Sequence, residues 1–364
     1  MIIPFLDLKA QYKSIKAEVD TAIKEVVESQ HFVLGPKAEE FEGEFAKYLG
    51  VKYAVGVSTG TDALVLALLA LGIGKGDEVI TPANSFVATT AAIVWAGATP
   101  VLVDCNPDTY EIDVNQVEKK INKKTKAILP VHLYGAPAEI DKLQTIANKH
   151  KLFLIEDTAQ AHGATLKGKK MGTFGDLGTF SFYPGKNLGA YGEAGAVVTN
   201  NKELYEKLKK LRNHGQVKKY YHDIFGLNLR MDEIQAGVLS VKLKHLNKWN
   251  KQRNIIAENY NKSLKNYKTQ KIIKDGKSVY HLFIIESSSR DKLQKYLADK
   301  GINTQIHYPI PIHLQKAYKN LGYKKGDFPV TEKAAERILS LPIYPELSYK
   351  QQKYIINKLN EFKS

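Results

Sequence analysis

Short apolar runs alternate along much of this chain with segments in which apolar positions recur every three to four residues. Residues 53–57 (YAVGV), 78–81 (EVIT), 100–104 (PVLVD), 127–131 (AILPV) and 153–156 (FLIE) read as strands. Residues 61–71, 85–96, 114–121 and 139–150 lie between them and carry helical spacing. Two further helical segments come first, over 11–29 and, after Gly35-Pro36, over 37–49. Strand and helix in alternation predict an α/β fold whose large, mostly parallel sheet is covered on both faces. Such sheets bind ligands beyond the carboxyl ends of their strands. After apolar runs at 178–182 and 197–199 the pattern changes to long amphipathic helices, 202–212 and 231–264. A strand near 279–285, a helix over 291–300 and a closing helix over 350–362 predict a smaller C-terminal α/β unit. We therefore expect a large domain over 1–250, with an N-terminal helical segment, and a small one over 251–364, joined by the long helix.

With 364 residues and 43% hydrophobic content, the chain is long enough for one large core and a smaller one. It has one cysteine, Cys105, so no intrachain disulfide framework is possible, which suits a reducing compartment. No apolar stretch approaches the ~20 residues that span a bilayer, and the first residues lack a basic-then-apolar signal. A soluble, cytoplasmic protein without a membrane partner is expected. The formal charge of +15 raises the question of nucleic acid. The arginines are Arg212, Arg230, Arg253, Arg290 and Arg337, and the lysines are dispersed through amphipathic stretches rather than gathered in one arm. That pattern favours a solvated lysine-rich surface and no nucleic-acid partner, with a DNA-binding regulator as the distant alternative.

The candidate chemistry centres on residues 181–196, SFYPGKNLGAYGEAGA. Lys186 follows an apolar strand and sits among Phe182, Tyr183, Pro184 and four glycines. An amine in a partly dry pocket loses affinity for its proton, and a neutral amine can form a Schiff base with an aldehyde. A pyridoxal-phosphate (PLP) site would also need a phosphate cradle, a ring platform and an acid for the pyridine nitrogen. Ser58-Thr59-Gly60-Thr61-Asp62 lies where a strand turns into a helix, and is either an anion site or an ordinary helix cap. Phe86, past the next strand, is either a stacking platform or a core residue. Asp157 ends an apolar strand, where it is a partner for a pyridinium, a cap or one half of a structural ion pair. Gln160 follows as a possible donor to a phenolate oxygen, His162 as a satisfied wall residue, and Ser181 as a hydroxyl for the phosphate. No metal site is expected.

These motifs, SFYPGKNLGAYGEAGAVVT, EDTAQAHGA, STGTDAL and GLNLRMDEIQAGVL, resemble the DegT/DnrJ/StrS sugar aminotransferases. The similarity runs from PFLDLKAQY to HYPIPIHLQ, essentially the whole chain. The resemblance implies the fold-type I, aspartate aminotransferase-like architecture, PLP as cofactor, and a homodimer whose active sites are shared. It matches Lys186 to the lysine that holds the cofactor, Asp157 to the pyridinium partner, Gln160 to the phenolate donor and Phe86 to the stacking ring. Gly60, Thr61 and Ser181 match phosphate ligands, and Asn228 matches one donated by the neighbouring subunit. Relatives with histidine in place of the lysine look like dehydratases; Lys186 favours amino transfer.

The resemblance further implies L-glutamate as amino donor and a keto sugar on a nucleotide diphosphate as acceptor. Its nearest subgroup aminates C3 of dTDP-linked 3-keto-6-deoxyhexoses; related members act at C4, on UDP sugars or on keto-inositols. Lys219 and Tyr221, in KKYYH, put cations beside aromatics, suited to a pyrophosphate and a base or to an exposed loop. His307 and Tyr308 form a similar cluster, and Tyr183 stands beside the lysine turn. Arg230 either meets an anionic substrate group or pairs with Asp232 or Glu233 at a helix start.

Overall fold

A computed structural model describes residues 1–264 and 266–363. Its largest sheet has seven strands in the order β1 (Tyr53–Val57), β9 (Gly195–Thr199), β8 (Leu177–Ser181), β5 (Phe153–Asp157), β4 (Thr125–Ile128), β2 (Glu78–Pro82) and β3 (Thr99–Val103). Only β9 runs against the rest, antiparallel to both β1 and β8. The other pairings are parallel, so the expected mostly parallel, mixed sheet is present. These strands are buried along most of their length, as continuous apolar runs covered on both faces should be.

Helix α3 (Gly60–Ala70) shows why one turn of this sheet can carry a site. Its sequence GTDALVLALLA is apolar all round, and it is buried against Val55, Val197 and Leu208. Only its first turn is polar, and that turn faces the carboxyl ends of the strands. Helices α1 (Leu8–Ser29) and α2 (Pro36–Leu49) lie on α8 (Glu233–Ser263), α1 through Ile15, Val19 and Ala22 against Val238, Val241 and Trp249. The start of α8 holds the start of α2: Glu233 accepts from the amides of Gly35 at 2.8 Å, Lys37 at 2.8 Å and Ala38 at 3.0 Å.

Two small ribbons decorate the large sheet. β6 (Thr165–Leu166) pairs with β7 (Lys169–Lys170) and with β13 (Gly276–Lys277), and β10 (Gln216–Lys218) forms a hairpin with β11 (Tyr221–His222). The second core surrounds an antiparallel sheet of β12 (Lys268–Thr269), β14 (Phe283–Glu286) and β15 (Ile338–Leu341). Ile3 enters that core and bridges Ile302, with the amide of Ile3 donating to Gly301 O at 2.7 Å. Among the described residues no helix is long and apolar enough to cross a membrane.

Candidate active site

A cavity of about 770 Å³ lies at the carboxyl ends of β1, β2, β5 and β8, closed from the far side by residues of the second core. It gathers Gly60, Thr61, Phe86, Asp157, Gln160 and Ser181. Lys186, Tyr183, His307 and Tyr308 line it as well, although the last two lie more than a hundred residues beyond the rest.

One end of the cavity is built for an anion. Thr59 caps α3, its hydroxyl accepting from the Asp62 amide at 2.9 Å, and the Asp62 carboxylate accepts from Ser58 and Thr59 at 2.7 and 2.8 Å. The cap and the anion site are therefore the same turn. The amides of Gly60 and Thr61, first in the helix, have no intrahelical acceptor and stand at its positive end. A Cβ on Gly60 would come within 2.4 Å of Ser181 Cβ, so only glycine lets this turn approach the end of β8.

Phe86 is not in the core. It is the N-cap residue of α4 (Val87–Trp95), 51% exposed, and its ring lies 5.5 Å from that of Tyr308. A flat ring entering here meets an aromatic face. Opposite charge waits at the bottom: Asp157, the last residue of β5, is buried, accepting from Thr89 Oγ1 at 2.9 Å and from the Ala159 amide at 3.1 Å. Burial pushes its carboxyl pKa up, while those two hydrogen bonds and the Lys186 charge pull it back. It forms no ion pair among the described residues, so a cationic N–H in the cavity would relieve the cost of burying it. The neighbouring Glu156 is spent on structure, accepting from His132 and from the amides of Gly172, Phe174 and Gly175.

Gln160 is oriented by its neighbours. Its Oε1 accepts from the Tyr134 amide at 2.7 Å, which turns the NH₂ toward the cavity, where it donates to Tyr308 Oη at 3.1 Å. Tyr134 in turn donates to His307 O at 2.6 Å, and His307 stacks on Phe5 with ring centres 5.9 Å apart. Burial, and the Lys186 charge after it, take the His307 imidazole down to about 4, so it is neutral at ordinary pH. Lys186 itself sits in the turn after β8, its amide donating to Tyr183 O at 2.8 Å. Part of its surface opens into the cavity, yet the surrounding protein desolvates the amine and lowers its pKa to about 8 against the pull of Asp157. His162 lies buried between Phe180 and Phe182, outside the cavity, with its pKa lowered to about 3, mainly by burial.

Four of the expected residues stand elsewhere. Lys219 and Tyr221 are exposed on the β10–β11 hairpin, and Asn228 bridges Asn213. Arg230 donates to Asn213 Oδ1 at 3.3 Å instead of pairing with Asp232 or Glu233. None of the four lines this cavity. Conversely, Phe5, Leu6 and Arg253 line it and carry no local motif.

The fit to PLP is thus physical: free amides at a helix start for the phosphate, an aromatic face, a buried carboxylate with no counter-ion among the described residues, and an amine whose pKa burial lowers to about 8. The DegT/DnrJ/EryC1/StrS aminotransferase family pattern matches residues 13–360. The chain is 46% identical to the "Pleiotropic regulatory protein" of Geobacillus stearothermophilus, over 100% of this chain and 99% of that one. It is also 46% identical to the dTDP-3-amino-3,4,6-trideoxy-alpha-D-glucose transaminase of Streptomyces venezuelae, over 99% and 96% of the two chains. The crystal structure of S. venezuelae DesV in complex with a ketimine intermediate superposes with a TM-score of 0.97 at 46% identity, covering 99% of this chain and 98% of that one. Other solved neighbours carry PLP or its amine form, PMP.

Proposed function

This chain belongs to the DegT/DnrJ/EryC1/StrS aminotransferase family, whose members depend on PLP, and on that premise we propose that it transfers the amino group of L-glutamate to C3 of a dTDP-linked 3-keto-6-deoxyhexose. The observation that carries the reading is the Lys186 amine, its pKa lowered to about 8 by burial, sharing one cavity with the buried Asp157 carboxylate. When bound, PLP supplies an aldehyde and a ring that draws electrons from the carbon bearing the transferred nitrogen.

The chain's own residues do the rest. The amides of Gly60 and Thr61 and the Ser181 hydroxyl bind the phosphate, and Phe86 covers one ring face. Asp157 holds the ring N–H and so keeps the ring cationic, while the Gln160 amide donates to the ring oxygen. Lys186 Nζ, held close and with its pKa lowered to about 8, takes and returns the proton at the reacting carbon. Tyr183, His307 and Tyr308 stand where the sugar must come.

The same reading makes the enzyme a homodimer in which Asn228 of one copy completes the phosphate site of the other. Lys219, Tyr221 and Arg230, all outside their own chain's cavity, then face the nucleotide diphosphate of the partner's site. It also divides the chain into a large PLP-binding unit over 1–250 and a small one over 251–364, with α8 running through the boundary. A cytoplasmic location accords with the single, buried, free Cys105.

The test is a glutamate-dependent amination assay across a panel of keto sugars differing in nucleotide and in keto position. Turnover of the dTDP-3-keto-6-deoxy sugar above all others supports the reading; preference for a 4-keto sugar, a UDP sugar or a keto-inositol replaces the substrate. A second reading, a DNA-binding regulator, rests on the name of the Geobacillus stearothermophilus relative and on the +15 charge. It requires salt-sensitive DNA binding, and the absence of a gel shift at moderate salt removes it.

A further inference from the structure

His281 brings to the cavity a hydrogen-bond acceptor that the chain itself leaves unused. The residue is half-buried just before β14 and lines the cavity. Which of its ring nitrogens bears the proton follows from a chain of hydrogen bonds that starts at two backbone carbonyls. Asn250, on α8, donates from Nδ2 to His162 O at 2.8 Å, so its Oδ1 is an acceptor. Asn187 donates from Nδ2 to that Oδ1 at 2.9 Å and to Val279 O at 3.0 Å. The Oδ1 of Asn187 is therefore an acceptor too, and His281 Nδ1, facing it at 3.3 Å, carries the N–H. Burial first, and then the charges of Lys186 and Arg253, hold the imidazole pKa well below the ordinary 6.5, so the ring is neutral. A neutral ring protonated at Nδ1 has a bare lone pair at Nε2. That nitrogen meets no donor among the described residues and, unlike both ring nitrogens of the enclosed His162, is not sealed from the cavity.

What it takes follows from chemistry and position. Asn187 is 3% exposed and comes directly after Lys186, so its bond holds the imidazole against the turn that carries the lysine. The reacting carbon must come to Lys186, and the groups on its neighbouring carbons come with it. A lone pair needs a proton donor. The carboxylates of an amino acid offer none at neutral pH, whereas the hydroxyls of a sugar do. The diphosphate and base are separated from C3 by the sugar ring and bring only acceptors or distant donors. We propose that His281 Nε2 accepts a hydrogen bond from a sugar hydroxyl on a carbon adjacent to the one aminated. This rests on the sugar aminotransferase reading above and adds a residue that reads the sugar beside its reacting carbon.

The experiment follows the two half-reactions separately, by the absorbance change of the cofactor in the holoenzyme. His281→Phe keeps a flat ring and removes the acceptor, so the 3-amino sugar concentration for half-maximal conversion rises roughly 5- to 30-fold. Half-saturation by L-glutamate stays within about twofold, whereas general damage to the wall would move both. The same pair of enzymes is then compared on the 2-deoxy and 4-deoxy forms of the amino sugar. The analogue that lacks the bonded hydroxyl is converted by the two enzymes with half-saturations within about twofold, which also tells C2 from C4. A penalty that persists with both analogues, or falls equally on glutamate, or is missing with the full sugar, overturns the proposal. Should His281→Phe lose its fold, a crystal structure of the unaltered holoenzyme with the amino sugar decides. A vicinal hydroxyl within hydrogen-bond distance of Nε2 supports the proposal, and its absence there overturns it. An enzyme that converts a 4-amino sugar or a UDP sugar instead replaces the substrate named above; analogues lacking the hydroxyls beside that sugar's own amino carbon still decide His281.

Discussion

Lys186 shows how little a residue's type says and how much its surroundings do. Its amine titrates near 8 instead of the ordinary 10.5 because burial outweighs the attraction of Asp157. The sign is that of a cation made costly: the neutral, nucleophilic form gains as pH rises through 8. In cofactor-free enzyme, labelling of Lys186 by an amine-directed reagent is expected to rise with a midpoint near 8; a midpoint near that of free lysine would contradict the argument. Lys186→Ala should bind the cofactor without its borohydride-reducible link and lose turnover on the order of 10³-fold or more, read by borohydride trapping and steady-state assay. Gly60→Ala probes the cradle. Its Cβ would meet Ser181 Cβ at 2.4 Å, so the turn must move, at a cost of about 1–3 kcal/mol. A lower melting temperature and weaker PLP affinity are expected together. Wild-type affinity would show that this turn does not hold the phosphate.

At the level of elements, the site depends on where helices begin. The polar turn of α3 is free to bind an anion because the rest of that helix is apolar and buried, which fixes its axis on the sheet. The start of α2 is held by Glu233, a carboxylate from the first turn of α8 and remote in sequence, which takes three amides left over by helix geometry. Glu233→Ala leaves those donors unpaired and should cost about 2 kcal/mol or more in urea unfolding, with Glu233→Gln costing less because one oxygen remains. Helical periodicity foretold α2, α3 and α8 to within a few residues, since an amphipathic or wholly apolar stretch has few other places to go. The ribbons β6–β7 and β10–β11 carry no period in the sequence, being two or three residues long and stabilised by partners elsewhere.

For the whole molecule, the proposed homodimer makes a sharp prediction. Phe225, fully exposed beside the hairpin, and Asn228, outside its own cavity, would both belong to a shared interface. Mixing the inactive variants Lys186→Ala and Asn228→Asp should then restore activity, because a mixed dimer places both defects in one site and leaves the other intact. No recovery on mixing, with mixed dimers present by mass spectrometry, would mean that each chain completes its own site. The sequence by itself determined the α/β architecture, the long helix and the motifs around Lys186, Asp157 and Gly60. Those are local consequences of periodicity, strand ends and turn chemistry, written in consecutive residues. Only the tertiary structure decided that Tyr308 closes over Phe86 and Gln160, that Phe5 reaches His307, and that Arg253 joins the cavity wall. These depend on how the second core seats against the strand ends, and burial there sets each group's protonation in a way no stretch of sequence encodes.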